Sequence, residues 1–351
     1  MRFLLLPFSW LYGLVTDFRN YCYDNQFFSV STFEKPVINI GNLTVGGTGK
    51  SPHVEYLIRL LRKDFNIVTL SRGYGRKTKG FIVADENATA ETIGDEPMQF
   101  YNKFKNEVKI TVGEKRVEAL NTIFSNFLAT DLVILDDAFQ HRAVKPSLNI
   151  LLMDFHRPID KDFTFPAGRL REKRHGAERA DILIVSKCPD NLSETEQQQI
   201  ANKITPYLSA ETPIFFTGIR YGEPQVMSQN SNKDFAETIL LVSGIARPEP
   251  FETYCQQHFK VTQHLIYKDH HHFTEQDFRF ILDTFDKIPA TKKSILMTEK
   301  DMVKFQIFLE SEKSKAIPMF YLPIEIYFLN ESEQVFNELV LKSCKSSKSK
   351  A

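Results

Sequence analysis

No CxxC pair occurs among the four cysteines at 22, 188, 255 and 344, which argues against a zinc knuckle and a thioredoxin-type redox motif. Cysteine usage of this kind fits a reduced, cytoplasmic compartment. There is no charge imbalance either. Forty-four basic residues balance 44 acidic ones, so no global field draws in nucleic acid, and any polyanion has to be met by local basic clusters. No apolar run reaches the roughly 20 residues of a bilayer-spanning helix. No internal repeat is evident, and tryptophan occurs once. What is abundant is phenylalanine, 30 residues beside 12 tyrosines, enough for aromatic walls as well as core. The 351 residues, 42% hydrophobic and 25% charged, accommodate two domains and a sizeable core.

The N-terminus, "MRFLLLPFSWLYGLVTDFRNYCYD", is almost entirely apolar from Phe3 to Val15. It is too short to span a bilayer, and no small-x-small cleavage site follows it, as a signal peptide requires. Trp10, Tyr12, Arg2 and Arg19 suit a helix lying in a membrane interface. The rival reading is a hydrophobic helix packed on its own protein.

Beyond it, short apolar strands alternate with amphipathic helices. This pattern predicts an α/β fold, a P-loop-containing parallel sheet with helices on both faces, plus a second, smaller α/β lobe. The expected divisions are an interfacial helix over 1–25, a nucleotide-binding kinase domain over 26–180, a second lobe over 181–325, and a C-terminal helix with a disordered Lys/Ser tail over 326–351.

The segment "NIGNLTVGGTGKSP" (39–52) lies between a predicted strand and a predicted helix. It fits the phosphate loop G-x-x-x-x-G-K-[ST] except that Thr44 stands where the first glycine is expected. Gly46, Gly47 and Gly49 let backbone N–H groups turn toward phosphate oxygens, with Thr48 between them. Lys50 is placed to reach the β- and γ-phosphates, and Ser51 to offer its hydroxyl to Mg²⁺. A carboxylate for the metal is expected at a strand end, and "DLVILDDAFQHR" supplies Asp136 and Asp137 there.

Four further clusters do not belong to a generic ATPase. "SRGYGRKTKG" carries Arg72, Arg76, Lys77 and Lys79, and "FPAGRLREK" carries Arg169, Arg171, Glu172 and Lys173. Both are read either as phosphate clamps or as solvated surface charge. "KDHHHFTEQD" has three consecutive histidines, poor spacing for a metal but compatible with one histidine oriented by an acid. In "GDEPMQF", Asp95 is either a helix cap or a general base near the γ-phosphate.

Together "GNLTVGGTGKSP", "LSRGYGRK", "GDEP", "LDDAFQHR", "DFHRP", "FPAGRLRE", "SGIARPEPF", "KDHHHFT" and "TEKDMVKF" resemble the tetraacyldisaccharide 4′-kinase family, in the family's order and over most of the chain. The resemblance makes Thr44 a family variant. It implies transfer of the γ-phosphate of ATP, with Mg²⁺, to the 4′-hydroxyl of a tetraacylated glucosamine disaccharide 1-phosphate, giving lipid IVA. It also implies docking on the cytoplasmic face of the inner membrane. By the same resemblance Asp95 is the catalytic base and His270, which directly follows Asp269, is its partner, with His271 and His272 as the alternatives. Gln140 and Arg171 lie at the nucleotide, and Asp136, Asp137 and Glu172 near the metal.

Two other functions stay open at this stage. A GTP-hydrolysing switch would carry a guanine motif, and "TEKD" (298–301) fits that pattern. A soluble small-molecule kinase would need no apolar N-terminal helix.

Overall fold

The computed structural model describes residues 2–227, 234–269, 271–309 and 315–346. His270 and the Lys/Ser tail from 347 onward, both singled out in the sequence, lie outside the described residues.

Helix α1 (Leu6–Asp24) leads into β1 (Val37–Asn42), α2 (Lys50–Leu61), β2 (Ile67–Ser71), β3 (Ile82–Val83), α3 (Ala90–Ile93), α4 (Asp95–Phe104), β4 (Lys109–Val112), α5 (Arg116–Asn126), β5 (Leu132–Asp136) and β6 (Leu148–Asp154). Next come β7 (Ile182–Ser186), α6 (Glu194–Ile204), β8 (Ile214–Tyr221) and β9 (Gln225–Val226). The rest is β10 (Thr238–Ser243), α7 (Glu249–His258), β11 (Lys260–Ile266), α8 (Glu275–Asp286), β12 (Ser294–Thr298), α9 (Glu299–Phe305), β13 (Met319–Leu322), β14 (Ile324–Phe328) and α10 (Glu333–Ser346).

Nine strands form the main sheet in the order β14-β8-β7-β6-β1-β5-β2-β4-β3, parallel except at its two edges, β14 and β3. Strand β1 lies between β5 and β6, with Ile40 opposite Asp136 and Asn42 opposite Leu152. The central strands are buried at every position, as a sheet covered on both faces requires, and successive side chains point to opposite faces. Ile38, Ile40, Ile134 and Ile150 pack with α2, α4 and α10, whereas Val37, Val133 and Leu135 pack with α5 on the other face.

The smaller sheet, β11-β10-β12-β13-β9, is parallel apart from β9. Its core is shared with the main lobe. Ile93, Met98 and Val112 pack with Leu240, Val242, Ile295, Met297 and Phe305.

The two-lobed α/β architecture matches the expectation, but the division between the lobes falls elsewhere than 180/181. Strands β7 and β8 extend the main sheet by parallel pairing, and β14 returns to it. The smaller sheet is therefore built between 225 and 322. Strand–helix alternation has the same texture in both lobes, so sequence pattern carries no mark of which sheet a buried strand joins.

Helix α1 inverts the usual arrangement. Ser9, Gly13, Asn20 and Cys22 face the protein, while Phe8, Trp10, Leu11, Leu14, Val15 and Phe18 are each more than 60% exposed or at that value. The hydrophobic helix therefore does not hide its apolar side on its own protein. No helix among the described residues is long and apolar enough to cross a membrane.

Candidate active site

The phosphate loop runs from β1 into α2, and two of its glycines are required by backbone conformation. Gly46 has φ +112° and Gly49, at the start of α2, φ +80°. A side chain at Gly47 would meet nothing within 4 Å, so the loop is open on that side. Thr44 needs no left-handed backbone. It forms a β-bridge with Leu170, flanked by Val45 N–H donating to Arg169 O over 2.8 Å and Arg171 N–H donating to Leu43 O over 2.7 Å. An extended, paired residue gains nothing from glycine's freedom, which is why threonine serves here.

That pairing also fixes the arginine. Arg171 makes two hydrogen bonds to Asp137, at 2.8 and 3.1 Å, and a third at 3.3 Å to the side-chain oxygen of Gln140. Lys50 Nζ lies 3.8 Å from the same Asp137 carboxylate. Gln140 Nε2 donates to Asn42 O at 2.9 Å, and Asn42 Nδ2 to the Thr48 hydroxyl at 2.8 Å. Thr44, Thr48, Lys50, Asp137, Gln140 and Arg171 are thus brought into one network around the loop.

Asp136 and Asp137 differ electrostatically. Burial, then the Glu96 carboxylate, push Asp136 well above the ordinary carboxylate range, against the pull of Lys50 and Arg116. Burial raises Asp137 too, but Lys50 and Arg171 outweigh it and hold the group below its usual value. Asp137 sits at φ +54°, a strained conformation of the kind that collects at functional sites. The influence of Glu96 on Asp136 also places the "GDEP" segment beside the strand-end pair. A side chain at Gly94 would come within 3.0 Å of Tyr74 O, so "GDEP" is locked against the "RGYGR" loop.

Mg²⁺ takes hard oxygen donors. Asp136 Oδ1 and Asn42 Oδ1 are buried without a hydrogen-bond partner among the described residues, and Asp137 and Ser51 lie in the same loop region. This oxygen set fits Mg²⁺ bound together with phosphates. A cluster of three or more Cys, His, Asp or Glu side chains able to hold a metal by themselves is absent among the described residues. Glu172 is joined to this network through Gln140. Its buried carboxylate accepts from Asn20 at 2.8 Å, Arg179 at 2.8 Å and Gln140 at 3.1 Å.

Asp95 opens α4, and Lys304 Nζ lies 3.7 Å from its carboxylate. Of the histidines beside His270, His271 contacts Asp277 at 3.0 Å and stacks on Tyr267, within the smaller lobe. "TEKD" lies at the β12–α9 junction of the smaller sheet. There Asp301 accepts from Thr298 at 2.5 Å and from Gly244 N–H at 2.8 Å. It is a buried helix-capping element, with Thr298 at the N-cap of α9.

Sequence reasoning missed Asn42, Arg116 and Lys187. Arg116 is buried at the start of α5, near enough to Asp136 and Asp137 that both act on its charge. Lys187, at φ +60° just past β7, donates to Gly47 O and, at 2.7 Å, to Asp154. The strand-end rule that singled out Asp136 applies equally to Lys187 after "ILIVS". Arg116 had no comparable signal.

The family described as tetraacyldisaccharide-1-P 4′-kinase matches residues 1–345. A tetraacyldisaccharide 4′-kinase of Flavobacterium johnsoniae is 41% identical over 350 residues, covering 98% of each chain. One from Phocaeicola vulgatus is 39% identical over 341 residues, 95% of this chain and 92% of that one. Among solved structures, the "apo" form of LpxK from Aquifex aeolicus in complex with ATP is similar at a TM-score of 0.74 and 28% identity, covering 97% of this chain and 99% of that one. A family match over nearly the whole chain, with its motifs converging on one loop, means that the chain belongs to the tetraacyldisaccharide-1-P 4′-kinase family.

Proposed function

We propose that the chain transfers the γ-phosphate of ATP to the 4′-hydroxyl of tetraacyldisaccharide 1-phosphate, giving lipid IVA at the cytoplasmic face of the inner membrane. The 4′-kinase activity in lipid A biosynthesis follows from family membership. The observation that carries it to these residues is the network joining Lys50, Asp137 and Arg171 around an open glycine loop.

Phosphoryl transfer needs positioning and charge neutralisation more than covalent chemistry. Lys50 and the N-terminus of α2 take the β- and γ-phosphates. Arg171 and Arg116 add positive charge beside the strand-end pair. Ser51, Asp136 and Asp137 would hold Mg²⁺, which when bound would supply positive charge to neutralise the phosphates. Glu172 acts one step back, holding the Arg171 loop and Gln140 in place. Asp95 accepts the proton of the 4′-hydroxyl as that oxygen attacks phosphorus, and His270 is its partner.

The exposed face of α1 supports the membrane part of the reading. Its apolar stripe, with Trp10 and Tyr21 among it, suits the headgroup boundary. A substrate whose acyl chains stay in the bilayer requires an enzyme that reaches that surface.

The test is label transfer from γ-labelled ATP to tetraacyldisaccharide 1-phosphate in detergent micelles, with GTP and lipid-free controls. Labelled lipid that depends on Mg²⁺ and on lipid is expected. Nucleotide hydrolysis without lipid, and no labelled lipid, would overturn the proposal.

A further inference from the structure

Lys304 is the group that the proposed chemistry leaves unused. It belongs to α9, in the smaller lobe, yet its side chain is 2% exposed and its ammonium points across the junction between lobes. Two carboxylates face it, Asp95 of α4 at 3.7 Å and Asp301 of its own helix at 3.6 Å. No hydrogen bond of ordinary length satisfies Nζ among the described residues. A buried ammonium survives only when opposite charge surrounds it. Asp301 is itself fixed, since Thr298 and the Gly244 N–H donate to it. Lys304 therefore stands on a rigid base in one lobe and addresses a carboxylate in the other.

A second charged bridge runs parallel. Lys103 of α4 pairs with Glu55 of α2 at 2.6 Å and with Glu299 at the start of α9. The helix that begins with Asp95, the helix that begins with Lys50, and α9 are thus tied at two points. The Lys103 bridge lies within the helices and would serve packing alone. The Lys304 bridge meets Asp95, on the first residue of α4.

We propose that Lys304 is a positioning residue for the phosphoryl transfer. It holds the Asp95 carboxylate ionised and aimed, and makes that aim depend on the smaller lobe. This rests on the reading of Asp95 as the base. The direction of the effect follows from charge. A cation 3.7 Å away favours the carboxylate over the carboxylic acid, keeping the base unprotonated to lower pH. It also limits the rotamers through which Asp95 can swing, and misplacement by about 1 Å can cost ~10²-fold in rate.

The test uses the full chain in micelles with tetraacyldisaccharide 1-phosphate. Lys304→Met and Lys304→Gln remove the charge and keep most of the length. In either, kcat is expected to fall ~10–10²-fold with KM for ATP unchanged. The acid limb of the kcat/KM profile is expected to move to higher pH, which a purely structural role would not produce. Combining Lys304→Met with Asp95→Asn should slow the enzyme no further than Asp95→Asn alone. A folded Lys304→Met enzyme with wild-type kcat and an unmoved acid limb overturns the proposal. Asp95→Asn at near-normal turnover instead overturns the base reading on which it rests, and the two failures are told apart. Should neither Lys304 variant fold, the ¹³Cε resonance of Lys304 in the unsubstituted chain replaces them. It is expected to shift in Asp95→Asn, and identical signals in the two proteins would refute the contact.

Discussion

Asn20 donates its side-chain amide to the buried carboxylate of Glu172 over 2.8 Å, joining the exposed apolar helix to the loop that carries Arg171. The Tyr12 hydroxyl donates to Arg171 O at 2.9 Å, and Arg19 to Gln140 O at 2.6 Å. Three residues of one helix thus hold Arg171, Gln140 and Glu172, the side of the site proposed to meet the nucleotide. Asn20→Ala removes one of three donors from a buried carboxylate, at a cost of about 1–3 kcal/mol. A lower Tm together with a raised KM for ATP is expected, measured by calorimetry and initial rates. A lower Tm with unchanged KM would separate the helix from the site.

Arg171→Lys keeps the charge and loses the fork. One ammonium cannot reproduce the paired contacts to Asp137 while also reaching Gln140. A fall of about 10–10²-fold in kcat/KM for ATP is expected, read by steady-state kinetics.

Thr44→Gly restores the glycine that the usual loop pattern has. Because Thr44 is extended and bridged to Leu170, the change adds unfolded-state freedom and no useful conformation. A loss of roughly 0.5–1 kcal/mol in stability with no gain in activity is expected, checked by denaturant titration and turnover.

His53 gives a pH signature. Its ring lies 2.7 Å from Gly49 O and 3.0 Å from the Thr217 hydroxyl, and burial, partly offset by the Gly49 contact, depresses its pKa to about 4. The unfolded chain binds a proton near pH 6.5 that the folded one refuses until about pH 4. Unfolding free energy therefore falls as pH drops through that window, by about 2–4 kcal/mol from this residue. Denaturant titrations between pH 7 and pH 4 measure it, and His53→Gln should flatten the slope.

Replacing Phe8, Leu11 and Phe18 by serine removes the centre of the exposed stripe without touching the face that packs. Co-sedimentation with phospholipid vesicles is expected to fall, while lipid-free ATP binding stays the same. Unchanged sedimentation would count against membrane docking through α1.

Much of the candidate site's arrangement was legible where chemistry is written in adjacent residues. Gly46 to Ser51 and the pair Asp136–Asp137 announce themselves, because a tight turn before a helix and a carboxylate at a strand end have local signatures. Fold class was legible for a similar reason, since buried parallel strands and amphipathic helices have distinct periods. What stayed hidden depends on contacts across the chain. The commitment of Glu172 is set by Asn20, 152 residues away. The approach of Lys304 to Asp95 is made by a lobe whose sheet has no pattern of its own. The capping role of "TEKD" needs Gly244 opposite Asp301, and four letters that fit a guanine motif cannot show it.

The smaller lobe leaves the main sheet after Tyr221 and returns at Ile324, where Gly222 N–H donates to Pro323 O over 2.9 Å. Both of its ends therefore meet at one point on the edge of the larger body. Strand β14 and helix α10, which complete that edge and cover one face with Phe336 and Val340, follow every element of the smaller lobe. During synthesis the nucleotide-binding half thus emerges early but remains unfinished, with a sheet edge and an apolar face open until β14 and α10 have left the ribosome. Deleting α10 should accordingly harm the main sheet that it covers more than the smaller lobe.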